Sequence, residues 1–209
     1  MADDLKYGYK GAEPTQSFGN NTGVFDPNDI NNLIADNKWT SFGQLELIET
    51  QTASADSFID FTSIQESTYN VHFMTFNNIS HTTSGHRLYI RFYESGVLET
   101  ASVYQDALQY GKANGTFGED RSTSQTFLKN IADNSDTGSS YMYFYNLGDS
   151  SKYSFTTGQA TWLDGASNFT FYFGSGVLLQ ASAVDGIRIF DSNAGTFSGS
   201  ISLYGIRYS

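Results

Sequence analysis

The chain has 209 residues, 11 basic and 22 acidic side chains, a formal net charge of −11 and no cysteine. The missing cysteines exclude disulfide frameworks, thiolate zinc sites, iron–sulfur clusters and cysteine nucleophiles. The acidic balance argues against nucleic acid and anionic membrane as partners. Charged residues are only 16% of the chain, whereas Gly (20), Phe (17) and Tyr (14) abound, the profile of a turn-rich β protein with a neutral polar skin. No apolar run approaches the length of a membrane span. The opening Met-Ala-Asp-Asp-Leu-Lys shows neither the basic nor the hydrophobic region of a secretory signal.

Residues 1–25 hold no period of 2 or 3.6. Tyr7, Tyr9, Phe18 and Phe25 are spread among glycines and asparagines. A disordered tail is one reading, but such tails are poor in aromatics. An extended arm docking its rings on another chain fits better. A short helix follows, with Asp26 as cap, Pro27 in the first turn and an end at Asn37 or Lys38. Ile30, Leu33 and Ile34 share one face of it. So short a helix is marginal alone and must dock. Residues 1–44 are therefore read as a docking arm with a helix, and residues 45–209 as the main domain.

From Leu45 the period is mostly two. Strands are expected over 45–50, 58–61, 69–76, 88–93 and 102–105, then over 141–145, 153–155, 168–173, 183–190 and 200–206. About ten short strands separated by Gly, Ser, Asn and Asp predict a sandwich or jelly roll of two antiparallel sheets. Ser124–Ile131 fits a helix or a strand. Residues 77–87, 111–124 and 132–140 are expected to be surface loops. Phe92–Tyr104 aligns with Tyr172–Val184 at an offset of 80, sharing Ser-Gly-Val-Leu and Ala-Ser. Two corners that reuse a Ser-Gly turn account for this better than a duplication.

Candidate chemistry is sparse. Asp56, Asp60, Glu66, Glu94 and Glu99 form no recognisable carboxylate pair. No Gly-x-Ser-x-Gly elbow supports a triad. His81 and His86 flank Thr-Thr-Ser-Gly and read as two solvated loop histidines lacking a third metal ligand. No calcium-loop spacing and no phosphate-cradling loop occurs. The expectation is a non-enzymatic chain with no metal and no cofactor. Sequons at Asn20, Asn78, Asn114 and Asn168 fit chance in an Asn- and Thr-rich chain. Trp162 with Tyr141, Tyr143 and Tyr145 could stack on sugar faces. The alternation around Met142 and Phe144 puts the three tyrosines on one strand face, which a packed sheet face with hydroxyls at its rim explains better.

The order of several motifs resembles the jelly-roll virion proteins of tailed bacteriophages. These are Phe61-Thr-Ser-Ile64 with Thr68-Tyr69, the Leu88–Phe92 segment with its Ser-Gly turn, and Asn146-Leu-Gly-Asp-Ser-Ser-Lys152. The most telling are Val184-Asp-Gly-Ile-Arg-Ile189, Gly195-Thr-Phe-Ser-Gly-Ser200 and Ile201-Ser-Leu-Tyr-Gly-Ile-Arg207. The resemblance covers about three quarters of the chain and implies a structural virion protein assembled in the host cytoplasm. Within that group a capsid decoration (cement) protein is expected, its arm bound to capsid or other virion proteins. A homo-oligomer, a trimer first, would multiply weak contacts. The alternative is a head or tail fibre module that binds a host surface glycan.

Overall fold

The computed structural model of the chain describes residues 27–35, 45–83, 85–133, 137–164 and 166–206. The chain divides into two units, residues 1–42 with residue 209, and residues 43–208. In the first unit, helix α1 spans Pro27–Ala35, with Asp29 in its first turn. Ile30 and Leu33 are half-buried and Ile34 is exposed, so this helix keeps an apolar edge accessible. The arm residues Tyr7, Tyr9, Phe18 and Phe25 lie outside the described residues.

The second unit is an all-β sandwich of two antiparallel sheets. Its strands are β1 (Leu45–Asp56), β2 (Phe58–Phe61), β3 (Val71–His81), β4 (Arg87–Glu94), β5 (Val97–Leu98), β6 (Tyr104–Lys112), β7 (Phe117–Gln125) and β8 (Leu128–Asp133). They continue as β9 (Gly138–Tyr145), β10 (Tyr153–Leu163), β11 (Phe169–Ala181), β12 (Val184–Asp191) and β13 (Phe197–Ile206). The broad sheet runs β1-β13-β3-β9-β10-β11-β6-β7, and the smaller runs β2-β12-β4, with β5 and β8 both on the far side of β4. Eight of these strands form the jelly roll, as β1-β13-β3-β9 facing β2-β12-β4-β8. The hairpins β6–β7 and β10–β11 are insertions that widen the first sheet beyond β9.

The two sheets enclose one apolar core. Phe61, Met74, Phe76, Ile90, Phe92, Phe144, Ile187, Ile201 and Leu203 are all fully buried within it. Tyr104 joins them, its hydroxyl donating toward the Glu99 carbonyl at 3.3 Å and lying 3.0 Å from the Phe92 amide that donates to it. Beneath the insertions the filling becomes ionic. Asp120 of β7 accepts from Arg87 at 2.9 Å and from the Lys129 ammonium, which also lies 3.6 Å from Asp106. Burial pushes the Asp106 carboxyl above the usual carboxylate range against the pull of Lys129.

Several expectations are corrected here. Residues 111–124 are mostly strand: β7 pairs with β6 from Gly111↔Phe117 to Tyr104↔Gln125. Its inward positions Gly118, Asp120 and Ser122 are polar, yet Arg87 and Lys129 satisfy Asp120, so the strand needs no apolar stripe. The ambiguous stretch resolves as strand from Leu128. The segment 132–140 keeps strand at both ends, with β8 to Asp133 and β9 from Gly138. β3 continues to His81 through a bulge at Asn77–Asn78, where Asn78 has φ 53°. The Ser-Gly repeat is not two corners. Ser95 and Gly96, at φ 52° and 73°, make the tight β4–β5 turn, whereas Ser175 and Gly176 lie within β11.

The loop histidines are not solvated either. His81 and His86 each direct Nδ1 at Asp191, at 2.7 Å from Oδ2 and Oδ1 respectively. The His81 and Asp191 side chains are buried, and that of His86 is 14% exposed.

Candidate functional site

Along β9, Met142 and Phe144 face the core, so Tyr141, Tyr143 and Tyr145 stand on the outer face of the broad sheet. Register extends that face across the strands. Tyr143 is opposite Phe73 on β3 and Thr157 on β10, and Thr157 is opposite Ser175 on β11. One step along, Tyr141 is opposite Gln159, which is opposite Phe173, which is opposite Gln109 on β6.

Two aromatic ridges result. In the first, Phe73 lies 4.7 Å from Tyr143 between ring centroids, and Tyr143 stacks beside Tyr145 at 6.3 Å and 20°. In the second, Phe171 and Phe173 stack at 6.3 Å and 11°. The Phe171 ring occupies the space above its cross-strand neighbour Gly111, where a Cβ would come 2.7 Å from it. Between the ridges, Thr157, Gly158, Gly174 and Ser175 carry little bulk, leaving a trough of about 350 Å³ walled by Tyr143 and Phe173. Two further hollows open on the same face, about 720 Å³ beside Phe155 and Val177 and about 450 Å³ between Phe117 and Phe173.

The trough is uncharged. Its polar groups are hydroxyls and amides: Tyr141 Oη donates to Gln159 Oε1 at 3.3 Å, and Thr157 Oγ1 donates to the Gly174 carbonyl at 3.2 Å. On the β11 side, charge enters at the edge strand, where Glu119 and Arg121 stand opposite Gln109 and Ala107. Tyr141 and Phe173 are 40% and 47% exposed, so both ridges present ring surface to solvent.

Of the four aromatics singled out in the sequence, the three tyrosines therefore meet on one face and Trp162 does not join them. Trp162 is buried on the opposite face of β10, 5.1 Å from the Tyr172 ring. The reason is parity: Phe155, Thr157 and Gln159 point outward, which turns Ala160 and Trp162 into the core. Sequence reading missed Phe73, Phe171, Phe173, Thr157 and Gln159. Alternation from Phe169 to Phe173 was the signal available for the phenylalanines; their alignment beside β9 depends on register. Among the described residues no group of three or more His, Cys, Asp or Glu is placed to hold a metal ion. No helix among them is long and apolar enough to cross a membrane.

No protein-family model matches the sequence, and no curated protein matches it. Among solved structures, a protein of unknown function from Shewanella oneidensis is 10% identical at a TM-score of 0.24, the alignment covering 91% of this chain and 98% of that one. A fructofuranosidase from Schwanniomyces occidentalis is 9% identical at 0.22, with 78% and 34% covered. Scytalido-glutamic peptidase is 11% identical at 0.22, with 79% and 74% covered. The chain thus spans about a third of the fructofuranosidase. Likenesses this remote leave the functional reading to the chain's own residues.

Proposed function

We propose that this chain is a structural virion protein of a tailed bacteriophage, a capsid decoration protein mounted by its first 44 residues. The observation that supports this reading most is where the virion-like motifs fall. The segments from Val184 to Ile206 fold as β12 and β13. Each is the strand next to the edge of its sheet, β12 between β2 and β4 and β13 between β1 and β3. The closing motifs are thus built into framework strands of the jelly roll, whereas Asn146–Lys152 forms the loop between β9 and β10. The apolar edge of α1, with Ile34 exposed and Ile30 and Leu33 half-buried, suits a docking role. The homo-oligomer, with a trimer first, belongs to the same proposal.

A second reading, a head or tail fibre module that attaches to a host surface, is favoured by one feature, the solvent-facing aromatic ridges of the broad sheet. Cryo-electron microscopy and protein mass spectrometry of purified particles of the phage that encodes the chain test the first reading. Many symmetric copies on the shell are expected. Absence from the particle overturns both readings, and a few copies on a tail or fibre replace the first with the second.

A further inference from the structure

The strongest unassigned feature is the trough between the two ridges. We propose that it binds a neutral glycan chain, with Tyr143 and Phe173 stacking on sugar faces and Gln159, Thr157 and Ser175 bonding to sugar hydroxyls. This deepens the second reading by naming the ligand class of the ridges, and it does not depend on the decoration reading.

Three observations select that ligand. The first is ring presentation. Tyr143 and Phe173 place rings on opposite sides of a floor of Thr157, Gln159, Ser175 and two glycines. A sugar ring is apolar on its faces and polar around its rim, so it matches apolar walls and a hydroxylated floor together.

The second is hydrogen-bonding capacity. Tyr141 occupies Gln159 Oε1, while Gln159 Nε2, Tyr143 Oη and Ser175 Oγ have no partner among the described residues. A flat protein partner lying across the ridges would seal these groups over the trough unpaired, at a cost of about 1–3 kcal/mol each. A second copy of the chain, which would bring the same ridges and the same floor, is disfavoured on that ground.

The third is charge. The trough has none, and the protein carries −11. An anionic polymer would meet long-range repulsion with no cationic side chain in the trough to receive it; Arg121 stands at the edge strand, beyond Ser175 and Ala107. The class is therefore neutral glycan rather than nucleic acid or acidic polysaccharide.

The test titrates the full chain by calorimetry against neutral glucose, galactose and mannose hexamers, neutral O-antigen polysaccharide from the host, and polygalacturonate as the anionic control. Saturable binding to at least one neutral glycan is expected, little changed between low and high salt. Tyr143→Ala and Phe173→Ala should each weaken it at least tenfold with the circular dichroism spectrum retained, while Val97→Ser, at the exposed start of β5, should leave it unchanged. No binding to any neutral probe overturns the proposal, as does binding to polygalacturonate alone or binding untouched by both ridge variants. Concentration-dependent dimerisation abolished by the same variants would assign the face to a second copy instead. None of these outcomes alters whether the chain is found on the particle, so the virion reading fails or stands separately.

Discussion

Asp191 accepts the Nδ1–H of His81 at 2.7 Å across 110 residues of sequence, fastening the end of β12 to the end of β3. Its other oxygen takes His86 and the backbone amides of Asn193 and Gly195 at 2.7, 3.1 and 3.0 Å. One buried carboxylate therefore closes both the β3–β4 loop and the β12–β13 turn. Asp191→Ala leaves four donors without their acceptor and should cost about 3–5 kcal/mol of folding stability. Urea unfolding followed by circular dichroism measures it. A loss below about 1 kcal/mol would show that the loops hold without the clasp.

The same carboxylate sets part of the acid limb of stability. Burial would raise its pKa, but the Asn193 amide, His81, the Gly195 amide and His86 together outweigh burial and lower it. A carboxyl lowered on folding stabilises fully above its unfolded value, near 3.8, and that contribution disappears as pH falls through the folded value. The stability gap between wild type and Asp191→Asn should shrink as pH falls below about 4.

His72 acts in a higher window. Burial lowers its pKa, and the Ile64 carbonyl, 2.8 Å from Nε2, only partly offsets this. A buried neutral histidine stabilises fully above its unfolded value of 6.5, and protonation withdraws that stability as pH falls below it. The advantage of wild type over His72→Gln should therefore be largest near pH 8 and decline below about pH 6.5. A gap that grows in acid would contradict the assignment.

Trp162 and Tyr141 separate core from surface. Trp162→Ala should cost about 3–5 kcal/mol, because it empties a large buried volume beside Tyr172. Tyr141→Ala, which removes a side chain that is 40% exposed, should cost about 1 kcal/mol or less. Equal costs would show that parity along β9 and β10 is not as described.

Gly174 is held to glycine by its neighbours. A Cβ there would collide with the Ala107 carbonyl and the Leu108 side chain on the adjoining strand. Gly174→Val should destabilise by about 3 kcal/mol and weaken the β6–β11 pairing. Hydrogen exchange at the β6 amides, read by mass spectrometry, should accelerate in the variant.

What the sequence revealed and concealed has a physical pattern. Strands β3, β4, β9, β12 and β13 alternate apolar and polar side chains, and that alternation made them readable. β7 was hidden because its inward positions are polar and depend on Arg87 of β4 and Lys129 of β8. β11 was cut short at Phe173 because Gly-Ser-Gly reads as a turn, although here it gives β6 and β10 room to approach. The His–Asp–His clasp joins residues more than a hundred positions apart, which no local pattern carries. Likewise the tyrosine face was legible from β9 alone, whereas the opposing Phe171–Phe173 ridge required the register of two further strands.

The virion assignment is the centre of the account, and heat stability of particles tests it most directly. A decoration protein that binds the assembled shell and not its dissociated subunits stabilises that shell by mass action. Genome release on heating should be compared for particles with the chain, particles lacking it, and lacking particles to which purified chain is restored. A rupture temperature that falls on removal and recovers on restoration is the predicted result. An identical rupture temperature in all three would contradict the decoration reading.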